Sequence, residues 1–152
     1  MKLLDYLHIE TILTDLKSSD KKGVLEELAL PISIISHADP NEIAKVLMER
    51  ESLGSTGIGG GVGIPHGKMR GLNSLVMGVG LSLKGVDFDA MDNKPTHIFF
   101  LILTPEDSAG LHLVILARIS KILKESAFKK KILTAKNPED VIQILEEVDE
   151  DF

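Results

Sequence analysis

Six consecutive residues, Ile98-Phe99-Phe100-Leu101-Ile102-Leu103, carry no polar side chain and are bounded by Asn93-Lys94-Pro95 before them and Pro105 after. A short apolar run between turn formers reads as a strand, and a strand without a polar face has to be covered on both sides. The chain must therefore provide a helical layer for each face of a sheet. Asp39-Pro40-Asn41-Glu42 joins an N-cap, a proline at the first helical position and an early acidic residue, so a helix with Ile43, Val46 and Leu47 inward starts there and ends near 50–54. Asn137-Pro138-Glu139-Asp140 repeats the device for a last helix carrying Val141, Ile142, Ile144 and Leu145. Ser18-Ser19-Asp20 caps a further helix with Val24, Leu25, Leu28 and Ala29 at helical spacing, which Pro31 is expected to kink or end. Leu111 to Leu123 supplies another, with Ile115, Leu116, Ile119, Ile122 and Leu123 inward, and 126–133 a short one. Strands are expected at Ile9 to Leu16 and at Leu75 to Leu83, the latter alternating bulky residues with Val76, Gly78, Gly80 and Ser82 so that something packs closely on its thin side. The sum is an α/β fold, a three-layer α/β/α sandwich around a mixed central sheet.

A length of 152 residues makes 1–152 a single domain. The absence of cysteine excludes disulfides, a thiol nucleophile and thiolate metal sites. Met1 to Glu10 contains Asp5, His8 and Glu10 and has no signal-peptide core, and no apolar run reaches membrane-spanning length, so a soluble, cytoplasmic protein without direct membrane insertion is expected. A net charge of −6 argues against nucleic acid as a partner and suits a basic protein surface. Part of that charge, Glu146, Glu147, Asp149, Glu150 and Asp151, reads as a solvated tail, frayed over 147–152.

The chemistry concentrates in Ser55-Thr56-Gly57-Ile58-Gly59-Gly60-Gly61-Val62-Gly63-Ile64-Pro65-His66-Gly67-Lys68. Glycine at this density reads as a loop whose backbone N–H groups approach a ligand, an anion cradle, with His66 presented between proline and glycine. A nucleotide P-loop is excluded, because Val62 stands where its first glycine belongs and Met69 where it needs Ser or Thr. A dinucleotide fingerprint fails at Val62 as well.

Gly54-Ser55-Thr56-Gly57-Ile58-Gly59 followed by Ile64-Pro65-His66-Gly67-Lys68 resembles the phosphorylation-site signature of the fructose, mannitol and nitrogen-regulatory enzyme IIA domains of the bacterial phosphoenolpyruvate-dependent phosphotransferase system. The segment 86–95 and His112-Leu113 before Leu116-Ala117 sit where that family has corresponding pieces, so the likeness spans nearly the whole chain. It implies the mannitol-type enzyme IIA architecture, a phosphoryl group carried on His66 Nε2, a histidine phosphocarrier protein as donor, an enzyme IIB or regulatory target as recipient, and neither cofactor nor metal. Such a protein is a phosphotransferase component, serving sugar transport or nitrogen regulation, with no small-molecule turnover of its own.

Each candidate residue also has a plainer reading. A lone histidine such as His66 is more often structural or merely exposed. His112 by itself is a polar residue at a helix entrance, and Arg50 is a cation complementing the end of its helix. The resemblance places both beside the phosphorylated ring, His112 to orient it or donate to the phosphoryl oxygens and Arg50 to clamp them. Ser55, Thr56, Gly57, Gly59 and Gly67 complete the expected phosphoryl cradle, the first two as supporting turn formers. The family commonly has a polar or acidic residue at the position of Gly60 and alanine at that of Gly63, so a more mobile loop is expected here. Asp87, Asp89 and Asp92 read as a solvated turn and Lys129-Lys130-Lys131 as a wet helix face. The expected function is a phosphocarrier; its rival is a non-catalytic regulatory module of the same fold that grips a kinase or transporter.

Overall fold

The computed structural model describes residues 1–152. After a 3-10 turn at Leu3–Tyr6 the elements are β1 (Leu7–Leu13), α1 (Lys21–Ser36), α2 (Pro40–Glu51), β2 (Gly57–Gly59), β3 (Val62–Gly63), β4 (His66–Met69), β5 (Val76–Val86), β6 (Thr96–Pro105), α3 (Ala109–Leu123), α4 (Ser126–Ile132) and α5 (Pro138–Glu146). The sheet order is β1-β5-β6-β3-β2, with β4 also on β6. β1 runs parallel to β5, β5 antiparallel to β6, and β3 and β4 lie one after the other, both parallel to β6, along its other edge. The sheet is mixed, as expected, and the apolar run is its central strand.

Alternation along β6 divides the interior. Ile98, Phe100 and Ile102, with Met77, Val79 and Leu81 of β5, pack against Ile115 and Ile119 of α3, Phe128 of α4 and Val141 of α5. Phe99, Leu101 and Leu103 pack against Val24, Leu28 and Ile32 of α1 and Ile43 and Leu47 of α2. Two cores on opposite faces of one sheet make the α/β/α sandwich. The thin side of β5 does take a close neighbour: a Cβ at Gly80 would lie 2.8 Å from side-chain atoms of Leu16 and Leu28.

Three expectations change. Pro31 does not end its helix, because α1 continues to Ser36 with Leu28, Ala29, Ile32 and Ser33 all buried, and that packing outweighs the missing backbone donor. The first strand begins and ends earlier, at Leu7 and Leu13. The acidic end is not frayed: Asp149 is buried and its carboxylate accepts the N–H groups of Leu3 and Leu4, both at 2.9 Å. That carboxylate satisfies donors that the first turn leaves open. The first and last residues also meet, Phe152 N–H donating to the Met1 carbonyl at 2.7 Å and the Met1 ammonium to the Phe152 carbonyl at 2.9 Å.

The glycine stretch is a β2–β3 hairpin rather than an open loop. Gly59, Gly60 and Gly61 turn it with φ of +92°, +66° and +80°, where a side chain is strained. Its tip is fastened. Gly60 N–H donates to Asp92, Lys129 donates to the Gly60 carbonyl at 3.2 Å, and the Gly61 carbonyl accepts from His97 and Ile98. Gly60 thus replaces a side chain without releasing the backbone, contrary to the expected mobility. At Gly63 a Cβ would sit 3.3 Å from Phe99 and Thr96, which explains the bare position.

Candidate functional site

β4 registers on the last turn-ward half of β6, His66 opposite Ile102 and Lys68 opposite Thr104. His66 therefore projects toward the layer that holds α3, while the alternate residue Gly67 faces α2. A Cβ on Gly67 would lie 2.6 Å from Val46 Cγ1, so the glycine is what lets α2 come this close to the histidine strand. Pro65, which has no N–H to leave unpaired, breaks the edge between β3 and β4, and its carbonyl accepts from Ile102 N–H at 3.0 Å.

The half-buried His66 ring lies 5.4 Å from that of His112, centroid to centroid, with the planes tilted by 58°. His112 comes from the first turn of α3 and is buried. Arg50, in the last turn of α2, closes a cleft of about 470 Å³ whose lining also includes Lys68, Glu49, Leu53 and Leu113. One Arg50 N–H is anchored on the Gly54 carbonyl at 3.0 Å, and the remaining guanidinium donors have no partner in the protein.

Hydrogen bonds fix both rings. His66 Nδ1 lies 2.7 Å from the Ile64 carbonyl, which can only accept, so Nδ1 carries the proton and Nε2 keeps a free lone pair in the neutral ring. His112 Nδ1 is 2.6 Å from the Thr104 hydroxyl. Burial lowers the pKa of His66, with the positive charges of Arg50 and Lys68 acting the same way and the Ile64 carbonyl and Glu51 opposing them. Burial, joined by His66 and Lys68, pushes His112 down to about 4. Both imidazoles are neutral at pH 7, and the cleft around them is positive. Such a site holds an uncharged nitrogen nucleophile beside donors for an anion.

The structure brings His66, His112, Arg50 and Gly67 to one cleft. The rest of the expected cradle is elsewhere, and the reason is the demand of the hairpin. Thr56 is buried, with its N–H and hydroxyl both on the Glu51 carboxylate. The Ser55 hydroxyl donates to the Phe88 carbonyl and accepts from Gly57 N–H, both at 3.0 Å. Gly57 packs 3.0 Å, as a Cβ would measure it, from the Ala90 backbone, and Gly59 turns over Asp92. The Ser55 hydroxyl, Gly57 and Gly59 hold the hairpin against 88–92, while Thr56 ties it to α2. Asp92 accordingly is a hairpin anchor, its carboxyl held below the usual range by the N–H groups of Lys94 and Gly60.

Thr104 and Glu51 were missed. Thr104 closes an otherwise apolar strand, and only its distance to a residue eight positions on gives it meaning. Glu51 had a signal: it continues the Ile43, Leu47 spacing, so a carboxylate stands on the buried stripe of α2. A second concavity, of about 390 Å³ between α3, α4 and α5, lies away from the histidines and is rimmed by the Lys131–Glu147 and Arg118–Glu150 pairs.

Known proteins of the same shape and pattern exist. Residues 5–148 match the family described as phosphoenolpyruvate-dependent sugar phosphotransferase system, EIIA 2. The chain is 35% identical to a nitrogen regulatory protein of Bradyrhizobium diazoefficiens over 95% of both sequences, and 34% identical to a fructose-specific EIIA component of Haloferax volcanii over 92% of both. The crystal structure of nitrogen regulatory protein IIA-Ntr from Neisseria meningitidis superposes with a TM-score of 0.88 at 32% identity, covering 93% of this chain and 97% of that one.

Proposed function

The chain belongs to the EIIA 2 family of the phosphoenolpyruvate-dependent sugar phosphotransferase system, and from that premise we propose that it is a phosphocarrier whose His66 Nε2 takes a phosphoryl group from a histidine phosphocarrier protein. It then passes the group to an enzyme IIB or holds it as the signal of a regulatory switch. The observation that carries this reading is the 2.7 Å contact between His66 Nδ1 and the Ile64 carbonyl, which leaves Nε2 as the one nucleophilic atom of the ring.

In the transfer the donor's P–N bond breaks as the bond from phosphorus to His66 Nε2 forms in line, and the donor nitrogen departs with the electron pair. No proton has to move at His66. The ring becomes an imidazolium whose Nδ1–H stays on the Ile64 carbonyl, and that oxygen faces the positive charge as it develops. A Thr104 hydroxyl donating to His112 Nδ1 leaves the His112 proton on Nε2, ready for a phosphoryl oxygen. The free arm of Arg50 supplies a second donor. Because the transition state is loose, positioning and charge do most of the work.

The rim supports a protein as the exchange partner. Leu53 and Leu113, 83% and 66% exposed, flank the cleft, and apolar side chains held in water at a site edge suit docking more than a small solute. The same rim favours a regulatory use: a phosphoryl group arriving between them adds about −1.5 to −2 charge and changes which surface can dock.

The test is the intact mass of the protein after incubation with phosphoenolpyruvate, enzyme I and the phosphocarrier protein. Wild type gains one acid-labile phosphoryl group and His66→Ala none. No gain from a cognate donor leaves the binding-module reading in its place.

A further inference from the structure

Glu51 neither lines the cleft nor takes part in the transfer, yet its side chain is only 2% exposed and both its oxygens have partners. Oε1 pairs with the Lys21 ammonium at 3.0 Å and accepts from Thr56 N–H at 3.1 Å, and Oε2 accepts from the Thr56 hydroxyl. Lys21, the first residue of α1, is itself 13% exposed and is steadied by the Phe88 ring 4.9 Å below its ammonium. The bonds continue inward. The Thr56 carbonyl accepts from Ile64 N–H at 3.0 Å, and the Ile64 carbonyl is the one that holds His66 Nδ1. An ion pair at the start of α1 is thus followed by direct hydrogen bonds from Glu51 to the imidazole.

A buried ion pair contributes little net stability over an apolar pair of equal volume, because desolvation offsets the attraction. What a carboxylate with two donors and a paired ammonium does supply is a fixed place for the peptide that binds it. We infer that Glu51, braced by Lys21, is a positioning residue for His66: it sets the Thr56 peptide, which sets the Ile64 peptide, whose carbonyl keeps the imidazole proton on Nδ1. The functional value of this chain of bonds rests on the phosphocarrier reading; the arrangement of the proton does not.

The experiment reads both separately. Nitrogen-15 shifts of the His66 ring in the unphosphorylated full chain at neutral pH report which nitrogen carries the proton, and the rate of phosphoryl acceptance reports the consequence. Glu51→Gln and Thr56→Val move His66 to a mixture of tautomers and slow acceptance by about 10-fold, the low end of what losing the hydrogen-bond partner of a metal-ligating histidine costs. Thr56→Ser, which keeps the hydroxyl, restores both readings. Asp89→Asn, at an exposed carboxylate 3.6 Å from Lys21, leaves both unchanged. Thr56→Val keeps the side-chain volume and the Lys21–Glu51 pair and is the variant to rely on if Glu51→Gln does not fold. The inference is overturned if His66 in folded Thr56→Val retains its proton on Nδ1 as in wild type, or if Thr56→Ser is as impaired as the valine. A tautomer shift in a protein that no donor phosphorylates refutes the carrier reading and leaves the positioning intact.

Discussion

His112 has the burial of a core residue and the address of a working one, and the two together give it a measurable signature. Its pKa falls from 6.5 to about 4 on folding, chiefly because the charged ring cannot be solvated there. Between those values the unfolded chain binds a proton that the folded one refuses, so stability rises with pH across the window and is lost as the pH falls through it. The loss attributable to this ring reaches about 3 kcal/mol. Urea unfolding at pH 7.5 and pH 4.5 measures it. His112→Asn should lose less stability than wild type between the two, and equal losses would assign the acid sensitivity elsewhere. His66 shifts the same way, chiefly through burial, so its neutral form persists below the ordinary histidine range and phosphoryl acceptance should fall off at a lower pH than for a free imidazole. At this scale the reading of the sequence was uneven for a physical reason. His66, Arg50 and His112 carry a pattern that a residue string can show. Thr104 and the Ile64 carbonyl act through distances that only folding creates.

Among the elements, α1 departs most from local rules. Pro31 sits eleven residues into a sixteen-residue helix, where it removes the donor that would meet the Glu27 carbonyl. Apolar burial on both sides of the proline carries the helix through, a tertiary effect that local rules did not anticipate. Pro31→Ala restores the bond and should stabilise the protein by about 2 kcal/mol, the backbone gain less the extra freedom of the unfolded chain. A higher urea midpoint at unchanged slope is the expected result; a lower one would mean that the proline ring itself is needed to seat Ile32 and Ser33. Three helix starts were legible, since Asp20, Asp39 and Asn137 all accept N-terminal N–H groups, whereas α3 begins at Ala109 without a side-chain cap, ahead of the expected Leu111. A cap and its donor lie within three residues, so the sequence contains the whole interaction. The glycine hairpin is the opposite case. Its partners Phe88, Asp92 and Lys129 lie about 30 to 70 residues away, and without them its N–H groups looked free for an anion.

For the molecule as a whole, the apolar run at 98–103 was enough to demand three layers, because no other arrangement hides both faces of such a strand. The treatment of the acidic end was less successful. Composition makes Asp149 one more solvated charge, while the fold makes it the cap of the opening turn 145 residues away. Asp149→Ala leaves two N–H groups without acceptors, one of them buried, and should cost about 1–3 kcal/mol. For a domain of this size each kcal/mol lowers the melting temperature by about 2–4 °C, which a thermal scan resolves. The touching of Met1 and Phe152 has a consequence for the wiring of the fold. With its extremities in hydrogen-bond contact the chain is a ring that lacks a single join, and the place where the ring is open is arbitrary with respect to the layers inside it. The bond between exposed Asn73 and Ser74, in the connection between β4 and β5, could be the gap instead while a short linker spans the present one. The layered fold can therefore be spliced into a host protein through either pair of ends.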